Sequence, residues 1–152
     1  MEYMLLPLKR YAEFSGRSRR KEYWLFFLLN IIVYVIIGAI LVAGGLGSEM
    51  LSEGGIDDYD GELGLIGITG GLLAAVWALG TLIPNIALQV RRLHDLGQTG
   101  WIYLGVIIAG FIPLVGFLVQ IGYLIWMAFP GNAGANQYGE DPKDPTNATV
   151  FD

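Results

Sequence analysis

Cysteine is absent from the 152 residues, so no disulfide framework, thiolate nucleophile or cysteine metal site can be built from them. Compartment cannot be argued from redox chemistry. Histidine occurs once, at His94, which excludes a two-histidine metal spacing. Charge is scarce as well: Asp, Glu, Lys and Arg make up 15% of the chain, against about 25% in soluble domains. Apolar residues fill the space, at 54% of the sequence and a mean hydropathy of +0.53. This is the composition of a membrane protein.

The net charge of −5 hides a segregated pattern. Residues 1–22 carry six bases (Lys9, Arg10, Arg17, Arg19, Arg20, Lys21) and three acids, whereas residues 46–63 carry six acids and no base. Residues 89–100 are basic again, through Arg91 and Arg92, and the segment from Pro130 onward is acidic. Basic residues abutting an apolar run favour the cytoplasmic side of a bilayer, because anionic headgroups attract them and translocating them is costly. The N-terminus is therefore expected inside, in a multi-pass arrangement.

Three uncharged runs are long enough to cross a membrane, at 23–45, 64–88 and 101–129, given the roughly 20 residues a spanning helix needs. The first exceeds a signal-peptide core and reads as a retained helix, with Tyr23, Trp24, Phe26 and Phe27 as an aromatic belt. In the second, Gly67, Gly71 and Ala75 form a small-residue stripe for close helix packing. Thr81, Asn85 and Gln89 recur every four residues beside Pro84, and with Asn30 and Tyr34 of the first run they suggest an intramembrane polar network. The third run contains Ile112-Pro113-Leu114-Val115-Gly116 and is longer than one crossing requires. The expectation is an all-α membrane protein, a small bundle of three transmembrane helices with the third kinked at Pro113; a helical hairpin at that point, giving four, is the alternative.

Outside the runs, residues 1–14 read as an interfacial amphipathic segment with Pro7 near its first turn. Residues 46–63 form an acidic external loop in which Asp57-Asp58-Tyr59-Asp60-Gly61 is too incomplete a calcium pattern to displace a solvated loop. Residues 130–152 make a polar tail, expected to be partly disordered. Residues 1–129 thus form a single membrane domain.

Four stretches stand out beyond their hydropathy: Phe14-Ser15-Gly16-Arg17-Ser18-Arg19-Arg20-Lys21-Glu22-Tyr23-Trp24, Arg91-Arg92-Leu93-His94-Asp95-Leu96-Gly97-Gln98-Thr99-Gly100-Trp101, Ile112-Pro113-Leu114-Val115-Gly116 and Gly134-Ala135-Asn136-Gln137-Tyr138-Gly139-Glu140-Asp141-Pro142. In these, and in their order, the chain resembles the bacterial inner-membrane "domain of unknown function 805" family. The resemblance covers nearly the whole chain, departing at Glu140, where the family often has proline, and in a longer acidic loop. It implies a small multispanning inner-membrane protein and brings no established activity.

Nothing in the residues composes an active site. His94 beside Asp95 is the one histidine–carboxylate combination, and neighbours on a helix point about 100° apart. Catalysis, a cofactor and a metal are not expected, and the bases are too few and too close to the bilayer for nucleic acid. The leading expectation is a membrane- or lipid-associated protein whose Arg17, Arg19, Arg20, Arg91, Arg92 and His94 meet on the cytoplasmic face and bind anionic headgroups. A second reading has the same face dock Glu22 and Asp95 as internal ion pairs, a folding clamp with no ligand. A third is a small-solute transporter or channel component, assembled as a homo-oligomer or with another membrane protein through the small-residue face.

Overall fold

The computed structural model describes residues 2–43 and 65–144. The acidic loop at 46–63 and the end of the tail lie outside the described residues. Among the described residues five α-helices follow in order: α1, Glu2–Lys9; α2, Arg20–Leu41; α3, Leu65–Asp95; α4, Trp101–Gly110; and α5, Val115–Met127. Among the described residues the β-structure is a single bridge between Asn136 and Gly139.

Among the described residues, α2 and α3 are the two helices long and apolar enough to cross a membrane, and only 11% and 17% of their most apolar windows are buried in the protein. A soluble core helix hides most of such a window; these leave Val35, Ile36, Leu72, Val76 and Leu79 more than half exposed. A surrounding apolar phase is what makes that exposure affordable.

The chain divides into two compact units, one made of residues up to Phe26 together with Ile83 onward, the other of Phe27–Leu82. In the second unit Gly70 admits Leu41, whose Cδ2 would stand 2.8 Å from a Cβ at position 70. Trp77 donates its indole N–H to Asn30 Oδ1 at 3.2 Å, and Thr81 returns its hydroxyl to the Trp77 carbonyl at 2.7 Å. Asn30, Trp77 and Thr81 are thus answered within this unit.

The first unit is built around the C-terminal end of α3. That helix stops in a Schellman turn: Gly97 is at φ +73°, its N–H bonds the His94 carbonyl, and the Gln98 N–H reaches back to the Leu93 carbonyl at 2.9 Å. The chain re-enters helix at Trp101 with Gly100 tight against Val90.

The 101–129 run is two helices, not one kinked helix. α4 and α5 lie antiparallel, with the Tyr103 and Tyr123 rings 5.9 Å apart across the hairpin. Pro113 supplies no N–H, Leu114 adopts φ +63°, and Gly116 seats against the Ala109 carbonyl, where a Cβ would come within 2.8 Å. The proline alone would also serve a kink; the positive φ at Leu114 and the seat of Gly116 against Ala109 belong to a reversal. Three further expectations change with the fold. Pro7 lies in the last turn of α1, with its ring buried. Tyr23 and Phe26 are 2% and 0% exposed, so they are core residues and not an aromatic belt. The tail through Asp144 folds onto the first unit, as the hydrogen bonds of its carbonyls show below.

Candidate functional site, an arginine cluster beside an apolar cavity

Consecutive residues at the end of α3 are aimed at different neighbours, because a helix turns about 100° per residue. Arg91 Nη1 donates to the Glu13 carbonyl at 2.6 Å and the Arg10 carbonyl at 3.2 Å, just beyond α1, while Nη2 donates to Glu22 Oε1 at 3.0 Å in the first turn of α2. Arg92 holds the carbonyl end of α5: Nε and Nη2 donate to the Met127 carbonyl at 3.1 and 2.9 Å, and Nη2 also to Phe129. Positive charge there complements the carbonyl-rich terminus of that helix. Arg20 adds an exposed bond to the neighbouring Ala128 carbonyl at 3.2 Å.

Asp95 gathers the remaining strands of the cluster. One carboxylate oxygen accepts from Arg92 Nη1, the other from Arg17 Nε at 3.0 Å. Arg17 spends its other nitrogens on the Gly134 carbonyl at 2.6 Å and the Asn132 carbonyl at 2.5 Å, which ties the tail to the N-terminal segment. The Asn132 N–H closes the ring on the Asp95 carbonyl at 2.8 Å. Gly131 is obligatory, since a Cβ there would collide with the Asp95 carboxylate.

Arg17, Arg91, Arg92, Glu22 and Asp95 are each at most 5% exposed. Three buried cations face two buried carboxylates, and the excess charge is spread over carbonyl oxygens. Ions removed from water keep their charge only with this degree of pairing. Ser18 is buried among them, with its N–H on the Arg91 carbonyl at 3.2 Å.

His94 faces away from the cluster. Its Nδ1 donates to the Gly16 carbonyl at 3.2 Å, and the Tyr138 ring stacks on the imidazole at 3.9 Å between centroids and 4° between planes. Asn136 positions that lid: its amide donates to the His94 carbonyl at 2.9 Å, and its Oδ1 accepts from the Tyr138 N–H at 2.9 Å. Asp141 stiffens the same loop by accepting the Lys143 and Gly134 N–H groups, which hold its carboxyl below the ordinary carboxylate range. Beside His94 and Tyr138 opens a cavity of about 580 Å³ between α3 and α4.

The model of a family described as "Protein of unknown function (DUF805)" matches residues 11–140. The chain belongs to the DUF805 family. Its relatives include the inner membrane protein YhaI of Escherichia coli K12, 37% identical over 97% of this chain and all of the relative, and the inner membrane protein YhaH of the same strain, 34% identical over 94% and 98%. No solved structure matches. This is a membrane protein of an inner-membrane family.

The four DUF805 stretches converge in part on this site. Of the six residues expected on an open cationic face, Arg17, Arg91 and Arg92 are buried in ion pairs, His94 is half-buried under Tyr138, Arg19 is half-buried and bonds Tyr3 Oη at 3.3 Å, and Arg20 is exposed. An open face of all six is therefore not formed, because Glu22, Asp95 and the carbonyl ends of two helices reach three of the guanidinium groups. The expected polar stripe is answered in separate pairs: Asn30 with Trp77, Thr81 with its own helix, and Gln89 with the Tyr123 hydroxyl at 2.8 Å; Asn85 is half-buried, and Tyr34 is exposed. Of the small-residue stripe, Gly67 is buried while Gly71 and Ala75 are exposed, and the close approach falls on Gly70 instead. The sequence reading missed Tyr138, Asn136 and Gly131, whose roles depend on contacts more than 30 residues away.

Proposed function

We propose that this DUF805 protein is a non-catalytic, multi-pass inner-membrane protein with both its N-terminus and its tail in the cytoplasm. In this reading the arginine cluster is a folding clamp, and the exposed bases beside it bind anionic headgroups. The observation that carries it is the burial of Arg17, Arg91 and Arg92 on Glu22, Asp95 and backbone carbonyls, which joins the N-terminal segment, α3, α5 and the tail at one end. The basic N-terminal residues then assign that end to the cytoplasm.

The α4–α5 hairpin enters the bilayer from the same side. Its helices of 10 and 13 residues are about 15 and 20 Å long at 1.5 Å per residue, short of a core of roughly 30 Å. Its turn is apolar and exposed, with Phe111 at 82% and Leu114 at 74%. The N–H groups of Phe111, Ile112, Val115 and Gly116 are bonded within the hairpin and Pro113 has none, so most of the reversal's donors are met without water.

Headgroup contact falls to Lys9, Arg20 and Lys21, which are exposed. The test is lipid preference in mixed phosphatidylglycerol and phosphatidylcholine nanodiscs. The triple variant K9Q, R20Q, K21Q should lose most of the enrichment of phosphatidylglycerol around the protein while keeping its thermal midpoint. Unchanged enrichment in a folded variant sinks the headgroup role and leaves the clamp standing alone.

A further inference from the structure

The cavity beside His94 has a polarity of its own. It runs along α3 from Ile86 to His94, eight residues or about 12 Å of helix, and along the facing α4 as far as Ile107. At its deep end Ile86 and Ile107 present only hydrocarbon; at its shallow end stand Thr99, His94 and Tyr138. Leu104 and Ile107 are 47% and 39% exposed, so the wall opens toward the surrounding apolar phase. The volume of about 580 Å³ falls inside the 300–1,000 Å³ usual for small-molecule sites.

Among the described residues, no Asp, Glu, Lys or Arg lines it. The guanidinium groups of Arg17, Arg91 and Arg92 are committed to Asp95, Glu22 and backbone carbonyls, which leaves no fork for a phosphate or a carboxylate here. What remains is uncharged. His94 gives Nδ1 to Gly16, so Nε2 is the ring atom left to bond a ligand, and the Thr99 hydroxyl accepts only a long 3.5 Å contact from the Trp101 N–H. The Tyr138 ring, held by Asn136, closes one face of the imidazole.

We propose that this cavity binds an uncharged amphiphile with a hydroxyl-bearing head and a single long apolar tail, of monoacylglycerol or long-chain alcohol chemistry. The head sits at Thr99 and His94, under Tyr138, and the tail lies along Ile86, Leu104 and Ile107. Charge complementarity selects this occupant: an anionic lipid would bring a charge to a mouth without a cation. The site is separate from the exposed bases of the headgroup reading, and either can fail without the other.

The test is photolabelling of the purified full chain in detergent with a monoacylglycerol carrying a diazirine in its tail, followed by mass spectrometry of the labelled peptides. Labelling should saturate, concentrate on residues 86–107 and fall at least tenfold under excess monooleoylglycerol or oleyl alcohol, the stronger of the two identifying the source of the head. Equal concentrations of oleate or phosphatidylglycerol should leave it in place. Leu104→Trp fills the groove from an exposed position and should cut labelling at least fivefold at an unchanged thermal midpoint. Thr99→Val, also at an exposed residue, should weaken the monooleoylglycerol competition at least threefold, and it carries the test if the tryptophan variant does not fold. Labelling spread evenly over the exposed faces of α2, equal competition by oleate or phosphatidylglycerol, or no response to Thr99→Val overturns the proposal.

Discussion

Asp95 links two of the buried arginines, because its one carboxylate answers the guanidinium groups of both Arg17 and Arg92, while its backbone carbonyl accepts from Asn132. Removing one member of a buried pair strands the partner charge, at a cost of about 3–5 kcal/mol. Asp95→Asn is nearly isosteric, so its destabilisation in a thermal or denaturant melt should be of that size and should far exceed that of Glu13→Gln. Glu13 pairs with Arg10 at 2.6 Å in an exposed position, where such pairs contribute at most about 1 kcal/mol. Equal effects would mean that burial does not set the strength of these pairs.

Asp141 gives a pH signature at the same scale. The Lys143 N–H lowers its carboxyl most, desolvation opposes it next, and the Gly134 N–H and Arg17 lower it further. A depressed folded-state value means that the stabilisation is fully present above the unfolded pKa of about 3.9 and disappears as pH falls through the lowered folded value. Amide exchange at Gly134 and Lys143 should therefore stay slow down to about pH 4 and accelerate below it, beyond the intrinsic change in exchange chemistry. Asp141→Asn should remove the dependence; a transition that survives the substitution assigns it to another group.

Among the elements, the α4–α5 hairpin is where sequence patterning and structure part company. Hydropathy saw one 29-residue run, and nothing in a count of apolar residues separates a kink from a reversal. The deciding contact is the fit of Gly116 against Ala109 and Gly110, with a built Cβ 2.8 Å from both the carbonyls and the Cα of that turn. Gly116→Val should splay the hairpin and lower stability by roughly 1–3 kcal/mol, the usual cost of overpacking. Gly122→Val, on the same helix with open space at its Cβ, is the control. Cysteine pairs at Tyr103 and Tyr123 report the outcome directly, since cross-linking should persist in the control and fall in Gly116→Val.

For the whole molecule, the clamp makes a topological prediction. Arg17 bonds the Gly134 carbonyl, so the N-terminal segment and the tail should be found on the same side of the membrane. A fluorescent reporter active only in the cytoplasm, fused after Asp152, should be bright, and a periplasm-dependent phosphatase at the same place should be silent. A bright fusion also at position 55, within the acidic loop, would contradict α2 crossing the bilayer. A periplasmic tail would contradict the hairpin and the clamp together.

The sequence by itself determined the medium and the class. Runs without charge, flanked by bases on one side and acids on the other, are local quantities, and they identify a helical membrane protein, with three apolar runs of which two are long helices in the structure, while the ordered motifs identify the DUF805 family. Only the tertiary structure decided what the basic residues do. Arg19, Arg20, Arg91 and Arg92 are all equivalent in a charge count, yet Arg91 and Arg92 point in different directions from α3 and become buried, whereas Arg20 stays in contact with solvent. Pairing across 78 residues, as between Arg17 and Asp95, depends on the end of α3 meeting the N-terminal segment, and stacking across 44, as between His94 and Tyr138, depends on where the hairpin returns the chain. That return is set by a turn of four residues whose geometry comes from contact with a neighbouring helix and has no signature in hydropathy.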